Sequence, residues 1–163
     1  MTITVDDLLA REEITDVIKR LARGTDRLDE DLIASCYHAD GFDDHNAFRG
    51  SGAEFAKWIM TVLPRYEATM HLIGPPNIRL EGDVAHVDTY CVAHHVGTAT
   101  DKVLGLRYVD RFERRAGTWL IAKRVCAFDW TYTVPFEPSS GTLFEPDFTL
   151  GHRDRSDITY LGV

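Results

Sequence analysis

The sequence predicts an α+β domain in which three N-terminal helices precede a mainly antiparallel sheet. Apolar residues recur at helical spacing as far as about residue 63, and from residue 72 onward apolar and polar residues alternate. Two tight-turn signals, at residues 81–83 and 115–117, join neighbouring predicted strands as hairpins. Helices followed by a run of hairpin-connected strands are typical of the α+β class.

The composition is that of a soluble globular domain. The chain has 163 residues, 44% of them apolar and 27% charged, which is enough for one domain with a buried core. The formal net charge of −8 disfavours nucleic acid as a partner, because phosphate binding needs clustered basic residues. The first ten residues contain no Lys or Arg, and no apolar run approaches the ~20 residues of a membrane span. We therefore expect a cytoplasmic protein without a membrane partner.

The cysteines and the acidic residues do not follow a metal-binding pattern. Cys36, Cys91 and Cys126 lack CxxC spacing, and we interpret them as reduced core thiols. Residues 37–48 contain three Asp and two His, but these lack the spacing of a calcium or zinc site. We interpret this stretch as a solvated turn plus a short strand, and we expect neither a metal nor a cofactor.

Three helices are predicted from their caps and their apolar faces. The first is expected to end at Gly24, because glycine tolerates the left-handed conformation at a helix C-terminus. Asp26 then lies just beyond that end. A short second helix opens at residues 29–31, and a third begins at Ser51 and bends or ends near Pro64.

Four strands complete the predicted domain, at residues 72–80, 84–96, 103–114 and 119–134. Beyond residue 134 the sequence shows no sustained period, yet it stays rich in apolar residues. We therefore predict one domain over residues 1–134 and an extension over residues 135–163 that packs on that domain or on a neighbouring subunit. The apolar residues of this extension are Phe136, Leu143, Phe144, Phe148, Leu150, Tyr160 and Leu161.

Asp26 and His71 are candidate proton-transfer residues because both lie at boundaries between predicted elements. Asp26 follows the first helix, and His71 lies where the third helix gives way to the strands. A carboxylate and an imidazole placed in this way can meet and move protons. Taken alone, the two residues fit a helix cap and a half-buried histidine better.

The last predicted strand places Arg124 on an otherwise apolar face, because residues two apart point to the same side. A buried guanidinium needs either a carboxylate partner or a polar pocket, and both alternatives are open. His94 and His95 point to opposite faces of an earlier strand, and the strand register decides which one shares the interior with Arg124. The other residues assigned to the Arg124 face are Leu120, Ala122, Cys126, Phe128 and Trp130.

Residues 5–134 resemble the SnoaL-like branch of the nuclear-transport-factor-2-like superfamily. The resemblance is carried by RGTDRL at residues 23–28 with LIASCYHADGF at 32–42, by EATMH at 67–71, and by RFERRAGTW at 111–119 followed by Lys123 and Arg124. It implies a cone-shaped fold in which three helices lie against a strongly curved sheet and enclose one pocket. It also implies a homodimer or homotrimer.

Members of this branch include hexachlorocyclohexane dehydrochlorinase, scytalone dehydratase and a bile-acid dehydratase, which are cofactor-free lyases with a His–Asp pair. By resemblance, Asp26 and His71 occupy the positions of that pair, and Arg124 matches a catalytic arginine of the dehydrochlorinase. His94 is the candidate for a second pocket histidine. Leu21 stands where the dehydrochlorinase has a catalytic lysine, which is a departure from dehydrochlorination chemistry.

The resemblance thus implies a dehydratase-like lyase or isomerase that moves a proton on a small apolar, cyclic substrate. Trp58, Tyr90, Phe128 and Trp130 are the candidates for the substrate-binding lining. Two alternatives stay open. The same fold forms the non-catalytic small subunit of aromatic-ring-hydroxylating dioxygenases, and polyketide-cyclase-like or ligand-binding proteins use the same cavity.

Overall fold

The computed structural model of the protein describes residues 3–135 and 147–162. The helices are α1 (Val5–Asp26), α2 (Glu30–Ala34) and α3 (Gly52–Val62). The strands are β1 (Tyr37–Asp44), β2 (Arg49–Ser51), β3 (Ala68–Ile73), β4 (Asn77–Glu81), β5 (Val84–Val96), β6 (Thr100–Arg115) and β7 (Thr118–Pro135). Single 3-10 turns cover Leu63–Arg65 and Ile158–Tyr160. The predicted α+β class is confirmed.

All seven strands belong to one curved, open sheet. Its main path runs β2-β1-β7-β6-β5-β3, and β4 pairs with β5 next to β3. Every pairing is antiparallel except that of β1 with β7, so the sheet is mainly antiparallel, as predicted. The helices pack on the inner face and leave the outer face uncovered by any described helix.

Local sequence signals determine where the long helices begin. The Thr4 side chain accepts a hydrogen bond from the backbone N–H of Asp7, and the Asp7 carboxylate accepts one from the backbone N–H of Thr4. Ser51 and Glu54 form the same reciprocal pair at the start of α3. Each pair satisfies two N–H groups that the helix itself leaves without partners.

Gly24 does not end the first helix, contrary to the prediction. Helix α1 continues to Asp26, and Gly24 lies within its last turn. A Cβ atom at Gly24 would lie 3.0 Å from Cγ1 and 3.2 Å from the backbone N of Ile33. The glycine therefore allows α2 to approach α1 closely, which is a packing role that helix-capping rules do not detect.

Residues 37–48, interpreted from the sequence as a solvated turn plus a short strand, form the eight-residue strand β1 and the connection that leads to β2. Strand β1 is the sequence YHADGFDD, which lacks the apolar alternation of a typical strand. It is a strand because it pairs in parallel with β7 and in antiparallel with β2. This pairing buries Asp43 completely.

Two bulges in β7 change which residues face inward. The pairing with β6 shifts between Arg111 and Phe112 and again between Gly105 and Leu106. The extra residues on β7 are Ala122 and Asp129, and each one reverses the alternation of the strand. Consequently the single face predicted over residues 120–130 is wrong. The inward-facing residues before the first bulge are Trp119 and Ile121. Between the two bulges they are Arg124, Cys126 and Phe128, and beyond the second bulge Trp130 faces outward.

The outer face of the sheet is rich in exposed apolar side chains. These residues are Met70, Leu72, Tyr90, Val109, Trp130 and Tyr132. Tyr90 is 64% exposed and Trp130 is 47% exposed. The expected homodimer or homotrimer would cover such a face, and it stays a prediction.

The described part of the C-terminal extension contacts the domain near the end of α1. Asp157 pairs with Arg27, while Arg155 and Tyr160 both donate hydrogen bonds to Asp29. The apolar residues Phe136, Leu143 and Phe144 lie outside the described residues. Within residues 3–135 and 147–162, no helix is long and apolar enough to cross a membrane.

Candidate active site

A cavity of about 190 Å³ lies between the inner face of the sheet and helices α1 and α3. Most of its lining is apolar, and a small number of polar side chains converge on it. The apolar residues include Leu21, Phe55, Trp58, Leu104, Leu106 and Phe128. The polar ones include Thr25, His45, Tyr66, His71, His95, Tyr108 and Arg124. This combination is characteristic of small-molecule sites.

Asp26 and His71 meet at the wall of this cavity. Asp26 is the last residue of α1, and its Oδ1 lies 2.7 Å from Nδ1 of His71 on β3. Its Oδ2 accepts a second hydrogen bond, of 2.9 Å, from the backbone N–H of His71. The carboxylate thus fixes both the ring and the strand that carries it.

The electrostatics of the pair favour an ionised Asp26. Burial raises the pKa of Asp26, but the hydrogen bonds and the positive charge of His71 outweigh burial and hold this pKa below its usual range. An ionised Asp26 can only accept a hydrogen bond, so Nδ1 of His71 carries the proton. The neutral imidazole therefore has its lone pair on Nε2. The His71 side chain lines the cavity, and no described residue forms a hydrogen bond with its Nε2 atom.

His95, not His94, is the second histidine of the cavity. Strand β3 pairs Thr69 with His95 and His71 with Ala93, so His71 and His95 share the inner face. His94 lies on the opposite face, where its Nδ1 is 2.6 Å from Oδ2 of Asp101. The prediction for His94 is therefore wrong, because the choice depended on a register that the sequence did not determine.

His95 is a half-buried and neutral imidazole. Its ring centroid lies 5.7 Å from that of His71 and 4.9 Å from that of Tyr66. Burial, reinforced by the charge of His71, lowers the pKa of His95 to about 4. Its Nε2 is buried and has no hydrogen-bond partner among the described residues. We refer to Asp26, His71, His95 and Tyr66 as the His71 wall.

Arg124 has a carboxylate partner and also lines the cavity, so both alternatives that the sequence left open apply to it. Its Nε and Nη2 donate hydrogen bonds of 2.8 and 2.6 Å to the two oxygens of Asp110, and the side chain also lines the cavity. The guanidinium carbon lies 4.0 Å from the centroid of the Tyr108 ring. Burial lowers the pKa of Arg124, but the Asp110 carboxylate more than offsets burial and holds this pKa well above its usual range.

Two residues of the cavity region, Asp43 and His45, were not among the candidate site residues. Asp43 pairs with Arg124 in the parallel register of β1 and β7, and its carboxylate accepts hydrogen bonds from Tyr37 and His45. The available signal was an Asp and a His two residues apart, a spacing that places both side chains on one side of an extended chain. We refer to Asp43, His45, Tyr108, Asp110 and Arg124 as the Arg124 wall.

The four predicted lining residues divide equally between the two faces of the sheet. Trp58 and Phe128 line the cavity, and their contact with a substrate stays a prediction. Tyr90 and Trp130 instead line a groove on the outer face together with Leu72. Tyr90 points outward because it shares the face of His94, and Trp130 does so because of the bulge at Asp129.

A metal site is not apparent in the described residues. Residues 3–135 and 147–162 contain no group of three His, Cys, Asp or Glu side chains arranged to hold a metal ion. The three cysteines are buried and unpaired. Burial raises the pKa of the Cys91 thiol to about 11 and that of the Cys126 thiol to about 12, so both stay protonated at neutral pH.

Comparison with known proteins identifies the family to which this arrangement belongs. A model of the SnoaL-like domain matches residues 6–125. The uncharacterized protein Rv2910c of Mycobacterium tuberculosis is 26% identical over 129 residues, which cover 76% of this chain and 88% of that protein.

Two solved structures show the same fold. A putative scytalone dehydratase from Novosphingobium aromaticivorans has a TM-score of 0.72 and 18% identity, over 86% of this chain and 99% of its own. The hexachlorocyclohexane dehydrochlorinase LinA-type3 from Novosphingobium barchaimii has a TM-score of 0.70 and 21% identity, over 87% and 98% of the two chains.

Proposed function

The chain belongs to the SnoaL-like family, and we propose that it is a cofactor-independent, dehydratase-like lyase or isomerase. The observation that carries this proposal is the hydrogen bond between Asp26 and His71 at the wall of an apolar cavity. It leaves a basic ring nitrogen, Nε2 of His71, without a partner among the described residues. The named neighbours with dehydratase and dehydrochlorinase descriptions support the same class of chemistry.

His71 is the proposed base. Nε2 accepts a proton from a carbon of the substrate, and Asp26 holds the imidazole in the tautomer that allows this. Asp26 also stabilises the imidazolium that forms, as the carboxylate of a catalytic triad does. The second hydrogen bond, from the backbone N–H of His71, prevents the carboxylate from turning away from the ring.

Arg124 and His95 are the proposed stabilising groups. Asp110 occupies Nε and Nη2 of Arg124, which orients the guanidinium so that Nη1 is left for negative charge on the substrate. His95 is neutral at pH 7 because its pKa is about 4, so it donates a hydrogen bond rather than a proton. Beside a mostly apolar lining, such fixed donors stabilise a developing oxyanion strongly.

The size and the lining of the cavity support a small, mainly apolar substrate. Its volume is about 190 Å³, and apolar protein cavities of about 150 Å³ bind benzene. We propose a cyclic substrate whose reacting C–H bond is acidified by a neighbouring carbonyl group. Trp58 and Phe128 would contact the ring of this substrate.

Deuterium exchange at the α-carbons of cyclohexanone tests the proposal, because it requires only proton abstraction. In deuterium oxide, the protein should accelerate this exchange, as measured by NMR. His71→Gln should reduce the exchange to the buffer rate while the melting temperature stays unchanged. The matched control is His94→Gln, which alters a histidine of the outer face and should exchange like the wild type. Wild-type exchange by His71→Gln would overturn the proposal.

The scaffold alternative predicts a different result. A non-catalytic subunit does not need Asp26, His71 and Arg124 to converge on one cavity, whereas the structure brings His71 and Arg124 to the same cavity lining. Co-purification with a larger iron–sulfur protein, together with no exchange by the wild type, would favour the scaffold.

A further inference from the structure

The cavity carries positive charge that the proposed proton transfer does not use. Asp and Glu outnumber Lys and Arg by 26 to 18 in the chain, yet neither acidic residue type is found among the described residues that line the cavity. Asp26, Asp43 and Asp110 instead each accept a hydrogen bond from a basic side chain of the lining. The cationic residues of the lining are Arg65, Lys102 and Arg124. The local charge is therefore opposite in sign to that of the whole chain.

Two of these three cations have no carboxylate partner. Asp110 neutralises Arg124, whereas Arg65 and Lys102 form no ion pair with any described residue. Both of these residues are exposed, although they line the cavity. Exposed residues of a cavity lining lie where the cavity opens to solvent, so Arg65 and Lys102 mark its mouth.

Arg65 and Lys102 are linked to His95 by different contacts. Lys102 on β6 is directly opposite His95 on β5 in the antiparallel register. The Tyr66 ring centroid lies 4.9 Å from that of His95, and the guanidinium carbon of Arg65 lies 5.2 Å from the Tyr66 ring centroid. We refer to Arg65, Tyr66, His95 and Lys102 as the cationic rim.

The positive charge of the rim acts on His95. Burial is the largest cause of the lowered pKa of His95, and the charges of His71, Lys102 and Arg65 act in the same direction. The buried Nε2 atom of His95 belongs to the same rim and has no hydrogen-bond partner among the described residues. A buried polar atom without a partner, next to two cations without counter-charges, indicates a place for a polar group of a ligand.

We propose that the cationic rim binds a carboxylate group of the ligand, while an apolar ring of the same ligand occupies the cavity. The guanidinium of Arg65 offers paired N–H donors that match the two oxygens of a carboxylate, and Lys102 adds a second positive charge. A neutral ligand leaves both cations without a counter-charge. The site therefore favours a small cyclic carboxylic acid over a neutral molecule of the same size.

This inference rests on the proposed function for the statement that the ligand is a substrate. The His95 ring centroid lies 5.7 Å from that of His71, so a carboxylate held at the rim brings carbons of the attached ring near the proposed base. The substrate class is then a cyclic keto acid. Its carbonyl group acidifies the reacting C–H bond, and its carboxylate orients the ring without taking part in the chemistry.

A pair of matched ligands tests the rim without any chemical step. Cyclohexanecarboxylate and cyclohexanecarboxamide have nearly the same shape and differ in charge. An NMR titration of the wild type at neutral pH should give a dissociation constant about tenfold lower for the carboxylate. Arg65→Gln and Lys102→Gln should each weaken binding of the carboxylate by about three- to tenfold, and binding of the carboxamide by less than about twofold.

The matched control is Lys123→Gln, which removes the same charge from an exposed lysine on the outer face of the sheet. This variant should keep the full preference for the carboxylate. Equal affinities of the wild type for the two ligands would overturn the proposal, and so would an equal loss of preference in Lys123→Gln. A loss of affinity for both ligands in Arg65→Gln and Lys102→Gln would also contradict it, because these side chains would then contact the ring rather than the charge.

The outcomes separate this proposal from the proposed function. The second experiment follows deuterium exchange in a cyclohexanone that carries a carboxylate opposite its carbonyl group. Selective binding of cyclohexanecarboxylate without any exchange of this keto acid would disprove the proposed function and leave the rim in place. Exchange of cyclohexanone without any preference between the two ligands would disprove the rim and leave the proposed function in place.

Discussion

The two walls of the cavity hold buried charge in different ways. The Arg124 wall is built from adjacent strands of the sheet, and its Asp110 and Arg124 form a bidentate, almost fully buried ion pair. The His71 wall joins the last residue of a helix to a strand at the edge of the sheet. Asp26 is its one carboxylate among the described residues, and it serves a single imidazole.

Because of this difference, we expect changes in the Arg124 wall to affect mainly stability and changes in the His71 wall to affect mainly turnover. Removal of one partner from a fully buried ion pair leaves an uncompensated charge that the surrounding strands cannot release to water. Replacement of a polar group of the His71 wall is better tolerated, because the cavity lies beside it. We therefore expect variants that lack Arg124 or Asp110 to lose stability, and variants of the His71 wall to stay folded but lose activity.

The largest expected effect on stability is that of Arg124→Met. This change leaves Asp110 buried without its partner, and we expect a loss of about 3–5 kcal/mol in the free energy of unfolding. Urea denaturation measures it. The double variant Arg124→Met with Asp110→Leu should recover much of the loss, because it removes both charges. If Arg124→Met costs no more than Asp26→Asn, the two walls do not differ in the way described.

The next effect is a pH dependence that originates in His95. Burial lowers the pKa of His95 from 6.5 to about 4, so the unfolded chain binds a proton in this range that the folded chain does not. Stability should therefore fall as the pH drops from about 6.5 to about 4, by about 3 kcal/mol at most. His95→Gln should remove this dependence. His86→Gln, at an exposed histidine, should leave it in place.

Asp26 provides an internal comparison for the pH experiment, because its protonation lowers stability at a lower pH than the protonation of His95 does. Its pKa is held below the usual range, so its contribution to stability is present above pH 4 and is lost only as the pH falls further. A decline in stability that begins near pH 6.5 in the wild type and persists in His95→Gln would contradict the assignment to His95.

The smallest expected effect comes from Arg153, which joins the C-terminal extension to the His71 wall. Its guanidinium donates hydrogen bonds to the backbone carbonyls of Tyr66 at 2.6 Å, Leu63 at 3.2 Å and Asp26 at 3.3 Å. Arg153→Ala should reduce the free energy of unfolding by about 1–2 kcal/mol. It should also slow α-proton exchange several-fold, because Asp26 is held less firmly.

The control for Arg153 is the neighbouring Arg155→Ala. Arg155 pairs with Asp29, but its own side chain is largely exposed, and we expect a change below about 1 kcal/mol and normal exchange. Equal effects of the two variants on exchange would show that Arg153 acts on the extension alone and not on the His71 wall.

The sequence by itself determined the features that depend on local chemistry. The capping residues Thr4 and Ser51 set the beginnings of α1 and α3. Alternation located β5, β6 and β7, and the turn signals at residues 81–83 and 115–117 joined β4 to β5 and β6 to β7 as hairpins. The pairing of Asp26 with His71 came instead from the family resemblance that the RGTDRL and EATMH motifs carry, and the structure places the two side chains 2.7 Å apart.

The tertiary structure decided the features that depend on how distant segments pair. The register of β3 on β5 chose His95 over His94, and the bulge at Asp129 turned Trp130 away from the cavity. The polar strand β1 exists through its pairing with β7 and β2, and the pairing with β7 also brought Asp43 and His45 into the site. Because one inserted residue reverses every side chain beyond it, local alternation cannot determine these positions without the partner strand.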